Sequence, residues 1–510
     1  MFSSVLSAAI LGMEILPVRV EADVSDGLPS FSMVGYVSSQ VKEAQDRVRT
    51  ALRNSKIALP PKKITVNLAP ADVRKEGAGF DLPVAGAVLT SMGYIPKDRM
   101  ENIMMLGELS LNGEIRGVSG ILPSVMKARE MGCTACVIPS ANRKEGLLVK
   151  DIPIIGVSTL EEMLEKLNLP NPFVMEENVW SLDETPCIYD TDFSDIRGQE
   201  SLKRAAVVAA CGLHNLLLIG VPGAGKTMIA KRIPTIMPNL TMEESLEITK
   251  IYSIAGLLPH DSPVMRIRPF RSPHHTTSAK ALAGGGKIPK PGEVTLAHRS
   301  VLFLDELPEF SKSSLEVLRQ PMEDRCIHLS RVQGTYTFPA DFMLVAAMNP
   351  CPCGYYPNMN RCRCTQQEIH RYLKKISQPL LDRMDICVEA PAVSWQEMTG
   401  QKKGETSAQI REVVTRTQKI QQERYRGTDI HFNSDMGARE VEKYCVMNNR
   451  GKEMIQKAFT GLSLSARGYH RVLKVARTIA DMEEEELITE KHIAEALTYR
   501  MIDRKYWNGS

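Results

Sequence analysis

Over residues 1–170, stretches with period-two alternation are separated by stretches whose apolar residues recur every three to four positions. KITVNLAPADV (63–73) predicts a strand running into a turn. FDLPVAGAVLTSMG (80–93) predicts a helix with small residues for close packing and Gly93 near its end. IMMLGELSLNGEI (103–115) alternates around Leu111-Asn112-Gly113, which predicts a hairpin. SVMKAREMG (124–132) ends a helix at Gly132, and CTACVIPS (133–140) reads as the next strand. The opening residues hold an apolar stretch with no basic leader and with Glu14 inside it, so a first β-strand is expected there and a signal peptide is not. The result is an α/β domain without a nucleotide motif.

A polar, acidic stretch without periodicity follows, and a linker is expected at 171–190. Residues 191–395 carry the strongest apolar strands. After the polar connector SWQEMTGQKKGETS, residues 396–510 are expected to be helical: REVVTRTQKIQQERYR, AREVEKYCVMN, YHRVLKVARTIADM and TEKHIAEALTYR each show an apolar stripe at helical spacing.

The sharpest chemistry lies at Gly220-Val221-Pro222-Gly223-Ala224-Gly225-Lys226-Thr227. An all-apolar strand (Leu216 to Ile219) precedes it and a helix follows, the setting of a phosphate-binding loop. Glycines let backbone N–H groups face the phosphates, and the new helix adds its positive end. Lys226 is expected to reach the β- and γ-phosphates of ATP, and the Thr227 hydroxyl to ligate Mg²⁺. SVLFLDELPEF places Asp305 and Glu306 at a strand end, Asp305 to hold Mg²⁺ and Glu306 to polarise the attacking water. DFMLVAAMNP ends at Asn349, where an amide between those two strands would position that water; a turn-forming Asn before Pro is the plainer reading. LLDRMD supplies Arg383, which looks like the finger a ring ATPase offers its neighbour. Arg467, at the start of a helix in LSARGYHRVLKVAR, stands where a second phosphate sensor is expected, with Arg471 as its nearest competitor. A solvated or salt-bridged surface arginine is the alternative for each.

Length and composition add bounds. A chain of 510 residues is too long for one core, and roughly two to four domains are expected. The net charge of +3 neither demands nor excludes a nucleic-acid partner, because a small total can hide a local basic stripe. No apolar run has the length of a membrane-spanning helix, so no membrane partner is expected. Eleven cysteines without an export signal point to reduced thiols in the cytoplasm, or to metal ligation where they cluster. Cys351, Cys353, Cys362 and Cys364 do cluster, straight after Asn349. Four thiolates can close a tetrahedral structural Zn²⁺ site; reduced loop thiols remain the alternative. Cys133 and Cys136 enter an apolar strand and read as core.

With these residues in hand the chain resembles the ComM/YifB family of magnesium-chelatase-like AAA+ ATPases. RPFRSPHHTTSAKALAGGGKIPKPGEVTLAHRSVLFLDELPEF (268–310) looks like that group's insert running into its acidic strand. The implied fold class is α/β: an AAA+ P-loop core with a parallel sheet (191–395), preceded by a Lon-protease-like α/β domain (1–170) and followed by an α-helical lid (396–510). GELSLNGEIRGVSGILPSVMKAREMG and VIPSANRKEG carry the likeness to Lon. Peptidase chemistry is not expected. Where Lon-type proteases have serine the chain reads Lys75-Glu76-Gly77-Ala78-Gly79, and where they have lysine it has Leu122 and Ser124. One local departure is Gly35-Tyr36-Val37-Ser38 after FSMVG, where family members tend to read GLP.

The resemblance implies a hexameric ring that moves on branched or single-stranded DNA, a branch-migration helicase acting in recombination and the uptake of transforming DNA. DNA-facing residues are expected on the insert around His274, His275, Lys287 and Lys290, and on IHLSRVQGTYTFP with its Gln333-Gly334 turn and Arg331. His274 and His275 bracing the ATP site is an equal alternative. The rival function is a protein-remodelling or metal-chelatase-type motor that does not act on DNA. A nucleotide switch without turnover is disfavoured by the intact Glu306 and Arg383.

Overall fold

The computed structural model describes residues 1–175, 189–259, 262–286, 289–331, 334–392, 395, 404–462 and 464–507. Most of the expected linker and of the connector after Ala392 therefore lies outside the described residues, as do Lys287 and Gln333.

The N-terminal part is built on β1 (Phe2–Leu11), β2 (Glu14–Ser25), β3 (Ser30–Val34), β4 (Lys63–Ala69), β5 (Ile103–Met105), β6 (Ala135–Pro139) and β7 (Ile154–Val157). They form one sheet in the order β3-β4-β2-β1-β5-β6-β7. The opening residues are the long strand β1, antiparallel to β2 from Phe2↔Asp23 to Leu11↔Glu14, so the apolar start is sheet. Helix α1 (Asp81–Ser91) is buried along its whole length, which explains its run of Ala, Gly, Val and Leu without a polar face. The expected hairpin forms between Glu108–Leu109 and Ile115–Arg116, and Gly113 takes the left-handed φ (+88°) its turn requires. Its first apolar residues, Ile103–Met105, join the main sheet instead, because three buried side chains find a core there.

The second sheet contains β8 (Leu216–Gly220), β9 (Phe270–Arg271), β12 (Val301–Leu304), β15 (Met343–Met348) and β16 (Ile386–Ala390), ordered β9-β12-β15-β8-β16. Every pairing in it is parallel. β8 is buried on both faces, as its unbroken apolar run demands. Leu216 and Leu218 enter a core shared with the C-terminal helices, while Leu217 and Ile219 enter the core of the opposite face. Two short hairpins leave this sheet: β10 (Gly284–Gly285) with β11 (Lys290–Pro291), and β13 (Cys326–Arg331) with β14 (Gly334–Pro339).

The C-terminal region is helical, its main helices being α7 (Ser407–Arg424), α8 (Ala466–Met482) and α9 (Glu490–Tyr506). Ile410, Val414, Val472, Ile479 and Ile493 share one buried cluster with Leu202, Leu216 and Val345. Buried polar groups fix the register of that packing. Asn433 Nδ2 donates to Asp481 at 2.8 Å, His214 Nε2 meets Thr478 Oγ1 at 2.8 Å, and Gln421 Nε2 donates to the Cys211 carbonyl at 2.9 Å.

The N-terminal domain docks on the nucleotide-binding part through α2 (Ile121–Glu130) against α5 (Met242–Ala255). Gly120 N–H donates to the Ser253 carbonyl at 3.0 Å, and the Ser253 hydroxyl to the buried Glu145 at 2.5 Å. Among the described residues no helix is long and apolar enough to cross a membrane.

Candidate functional site

The loop Gly220–Thr227 runs from the end of β8 into α4 (Lys226–Ile236), with Gly225 as the N-terminal cap in a left-handed conformation (φ +78°). Gly223 (φ +77°) and Gly225 face open space where a β-carbon would stand, so the backbone N–H groups are uncovered toward a ligand. A cleft of about 370 Å³ is lined by Pro222 to Met228, Asp305, Glu306, Met348 and Asn349.

Three strand ends supply its chemistry. Thr227 Oγ1 donates to Asp305 Oδ2 at 2.8 Å, joining the loop to the end of β12. Lys226 is buried; its ammonium donates to the Gly220 and Val221 carbonyls at 2.7 and 3.0 Å and to Asn349 Oδ1 at 3.1 Å. Burial lowers its pKa, opposed by the nearby Asp305 carboxylate. β15 lies between β8 and β12, with Ile219↔Met348 and Leu304↔Ala346 in register, so Asn349 emerges between the other two strand ends as expected. Glu306 takes a left-handed φ of +51°, and its half-exposed carboxylate lies 3.2 Å from Nδ1 of His275. The histidine comes from the insert, and its ring meets that of His274 at 4.0 Å in a tilted arrangement. Of the two readings of these histidines, the geometry places His275 at the nucleotide cleft.

This donor set fits ATP and Mg²⁺. Uncovered N–H groups at a helix N-terminus and a buried ammonium suit phosphates, and a hydroxyl touching a carboxylate is the oxygen pair a hard divalent ion takes.

The arginines stand elsewhere. Arg383 precedes β16, whose first residue pairs with Leu216, the first of β8; it therefore lies at the end of the sheet opposite the P-loop. Its Nη1 donates to the Pro379 carbonyl at 2.7 Å, and its Nη2 pairs with Glu323. It lines a second cleft of about 800 Å³ together with Asp382, Arg471 and Lys474. Arg467, exposed, lies 3.9 Å from Asp382, and the buried Arg471 3.6 Å from the same carboxylate. Both thus sit at the Arg383 end of the sheet and not in the P-loop cleft; Arg471 Nη1 lies 3.4 Å from the carbonyls of Leu381 and Met384, beside Arg383.

The four cysteines converge: all their sulfurs lie within 4.8 Å of one another. Cys351 is 3.4 Å from Cys353 and 3.7 Å from Cys362, and Cys353 is 3.5 Å from Cys362. Ligands about 2.3 Å from a tetrahedral Zn²⁺ stand about 3.8 Å apart, so the set fits that ion. Against the desolvation that would raise it, backbone N–H groups of Tyr355 and Arg363 bring the Cys353 thiol down to about 6. Cys136 is core as expected, its thiol driven up by burial. In the N-terminal domain Ser124 is buried with its hydroxyl donating to Gly120 O at 2.6 Å, and buried Lys75 donates to the Pro70 carbonyl. No serine–lysine pair forms between these two.

Two contributions escaped sequence reasoning. Gln199, buried with φ +58°, donates to the carbonyls of Ala224 and Pro391 at 3.3 and 2.6 Å and props the P-loop from behind. Lys280, on the short helix α6 (Ala279–Ala283), reaches across the β10–β11 hairpin: a β-carbon on Gly285 would stand 3.0 Å from its side chain and 3.6 Å from the Arg331 guanidinium. The separation in sequence, from Lys280 to Arg331, hides that pairing.

Comparison with known proteins shows the family. The family model "Magnesium chelatase, subunit ChlI" matches residues 192–398, "Subunit ChlI of Mg-chelatase" matches 20–142, and "Magnesium chelatase, subunit ChlI C-terminal" matches 404–500. The chain is 43% identical to the competence protein ComM of Haemophilus influenzae, over 98% of this chain and 97% of that one. It is 42% identical to YifB of Salmonella typhimurium, over 97% and 96% respectively. Lon protease 2 of Bacillus subtilis is 30% identical over 135 residues, which is 26% of this chain and 24% of that protein.

Proposed function

Because the chain belongs to the ComM/YifB family of magnesium-chelatase-like AAA+ ATPases, we propose that it hydrolyses ATP in a ring of like subunits, six in number, to move along branched or single-stranded DNA in the cytoplasm. Branch migration during recombination and natural transformation is the activity this motor would serve.

Thr227 and Asp305 would hold Mg²⁺, which when bound neutralises phosphate charge. Lys226 supplies a buried positive charge to the transferred phosphoryl group, and Asn349 fixes both that ammonium and the lytic water. Glu306 orients and polarises the water, with His275 setting where its carboxylate rests. Arg383 serves the neighbouring subunit's ATP, since it stands at the far end of its own sheet. Arg467 and Arg471, held against Asp382 beside it, add positive charge to the same face. Cys351, Cys353, Cys362 and Cys364 hold a structural Zn²⁺.

One observation supports DNA over a protein substrate. Lys280 and Arg331 converge at the β10–β11 hairpin, which also bears Lys290, and among the described residues none of the three meets a carboxylate. Gathering exposed cations without counter-charge is unfavourable until a polyanion lies across them. These groups would track the phosphate backbone without reading bases. The test is ATP turnover with and without forked DNA. DNA should stimulate the wild type, and the K280E/K290E/R331E variant should lose that stimulation. Turnover indifferent to DNA would favour the protein-remodelling alternative.

A further inference from the structure

The cysteine loop backs the nucleotide cleft, packing against Pro222 of its lining. It starts two residues after Asn349, the side chain that receives Lys226. Gly354, between the two cysteine pairs, has φ +85° and is pressed on the P-loop: a β-carbon there would stand 2.6 Å from Cδ and 2.8 Å from Cγ of Pro222. Real β-carbons do not approach so closely, so this glycine sets the distance between the two loops. The Cys351 sulfur is buried and accepts Tyr356 N–H at 3.4 Å. The Tyr356 ring in turn meets Tyr506 of α9 at 6.1 Å, and Trp507 Nε1 donates to the Leu373 carbonyl at 3.3 Å. One short loop thus touches the P-loop, carries on from Asn349 and receives the last helix of the lid.

The geometry points to the metal-loaded cysteine loop as a positioning device for ATP, with Gly354 the residue through which zinc occupancy sets nucleotide affinity. This rests on the ATPase and zinc readings above. A tetrahedral ion fixes the four sulfurs, the fixed sulfurs hold Gly354 against Pro222, and Pro222 holds the N–H groups that follow it toward the phosphates. Without the ion four thiols contribute only weak contacts, and the loop loses the rigidity that presses on Pro222.

The full-length protein is assayed by elemental analysis for zinc and by equilibrium titration with a fluorescent ATP analogue and Mg²⁺. The wild type should carry about one zinc per chain. The C362S/C364S variant should lose the metal and bind the analogue at least about tenfold more weakly. Gly354→Ala should keep its zinc and still bind more weakly, and adding Pro222→Ala, which removes the clashing Cγ and Cδ, should recover part of the loss. A wild-type chain free of zinc sinks the metal reading. A zinc-loaded chain whose affinity ignores both the cysteine and the Gly354 changes overturns the positioning inference alone. A wild-type chain that binds no analogue overturns the nucleotide reading itself.

Discussion

Arg383 and Lys226 stand at opposite ends of one parallel sheet. β8 and β16 run side by side from Leu216↔Ile386 to Gly220↔Ala390; Lys226 follows the last of these pairs and Arg383 precedes the first. Five residues of strand span about 16 Å, beyond the reach of a guanidinium to phosphates bound over its own P-loop. In the proposed ring the arginine would meet ATP across a subunit boundary. Arg383→Ala should therefore bind ATP normally and hydrolyse it at least about a hundredfold more slowly. Mixed with a Lys226→Ala chain it should regain part of the activity, because some interfaces then pair an intact P-loop with an intact finger. Full turnover by a strictly monomeric preparation, or mixed rings without rescue, would rule out the trans role.

Lys226→Ala removes an ammonium that already holds three oxygens at the cleft. Charge-assisted bonds contribute about 1.5–3 kcal/mol each, so ATP affinity should fall by about a hundredfold or more in an equilibrium titration.

Glu306→Gln keeps the side chain's size while removing the negative charge proposed to polarise water. ATP should still bind, and turnover should drop by about a hundredfold or more. His275→Ala, which removes the partner 3.2 Å from that carboxylate, should change kcat while leaving nucleotide affinity near wild type. A Glu306→Gln chain that turns over ATP at the wild-type rate would show that another group handles the water.

Asp385 accepts the Asn215 N–H at 3.1 Å and faces the His214 ring at 3.6 Å. Burial would raise its pKa, but His214, Lys474 and Arg471 outweigh it and bring the carboxyl to about 2 from an ordinary 3.8. Since the folded value is the lower one, its stabilisation is present above pH ~4 and disappears as pH falls toward ~2. Asp385→Asn should lower stability at neutral pH by about 2 kcal/mol and flatten the loss between pH ~4 and ~2, read from thermal unfolding across that range. An unchanged acid profile would show that Asp385 is not the titrating group.

The phosphate-binding loop, its two partner strands, the helical C-terminal region and the likeness of the first domain to Lon all followed from sequence. Their signals are local: a fully buried parallel strand must be an unbroken apolar run, and a loop that wraps phosphate must place glycine where φ is positive. Four cysteines within one loop likewise announced themselves, because loop closure alone brings them together. Other relationships depend on elements that meet only after the sheet and lid have packed. The parallel register carried Arg383 to the far end of the sheet. Packing of the lid took Arg467 to Asp382, and the meeting of two hairpins gave Lys280 its neighbour Arg331. Periodicity says which face of an element is buried but not which distant element covers it, so the contacts of Gln199 and Gly354 belonged to tertiary structure alone.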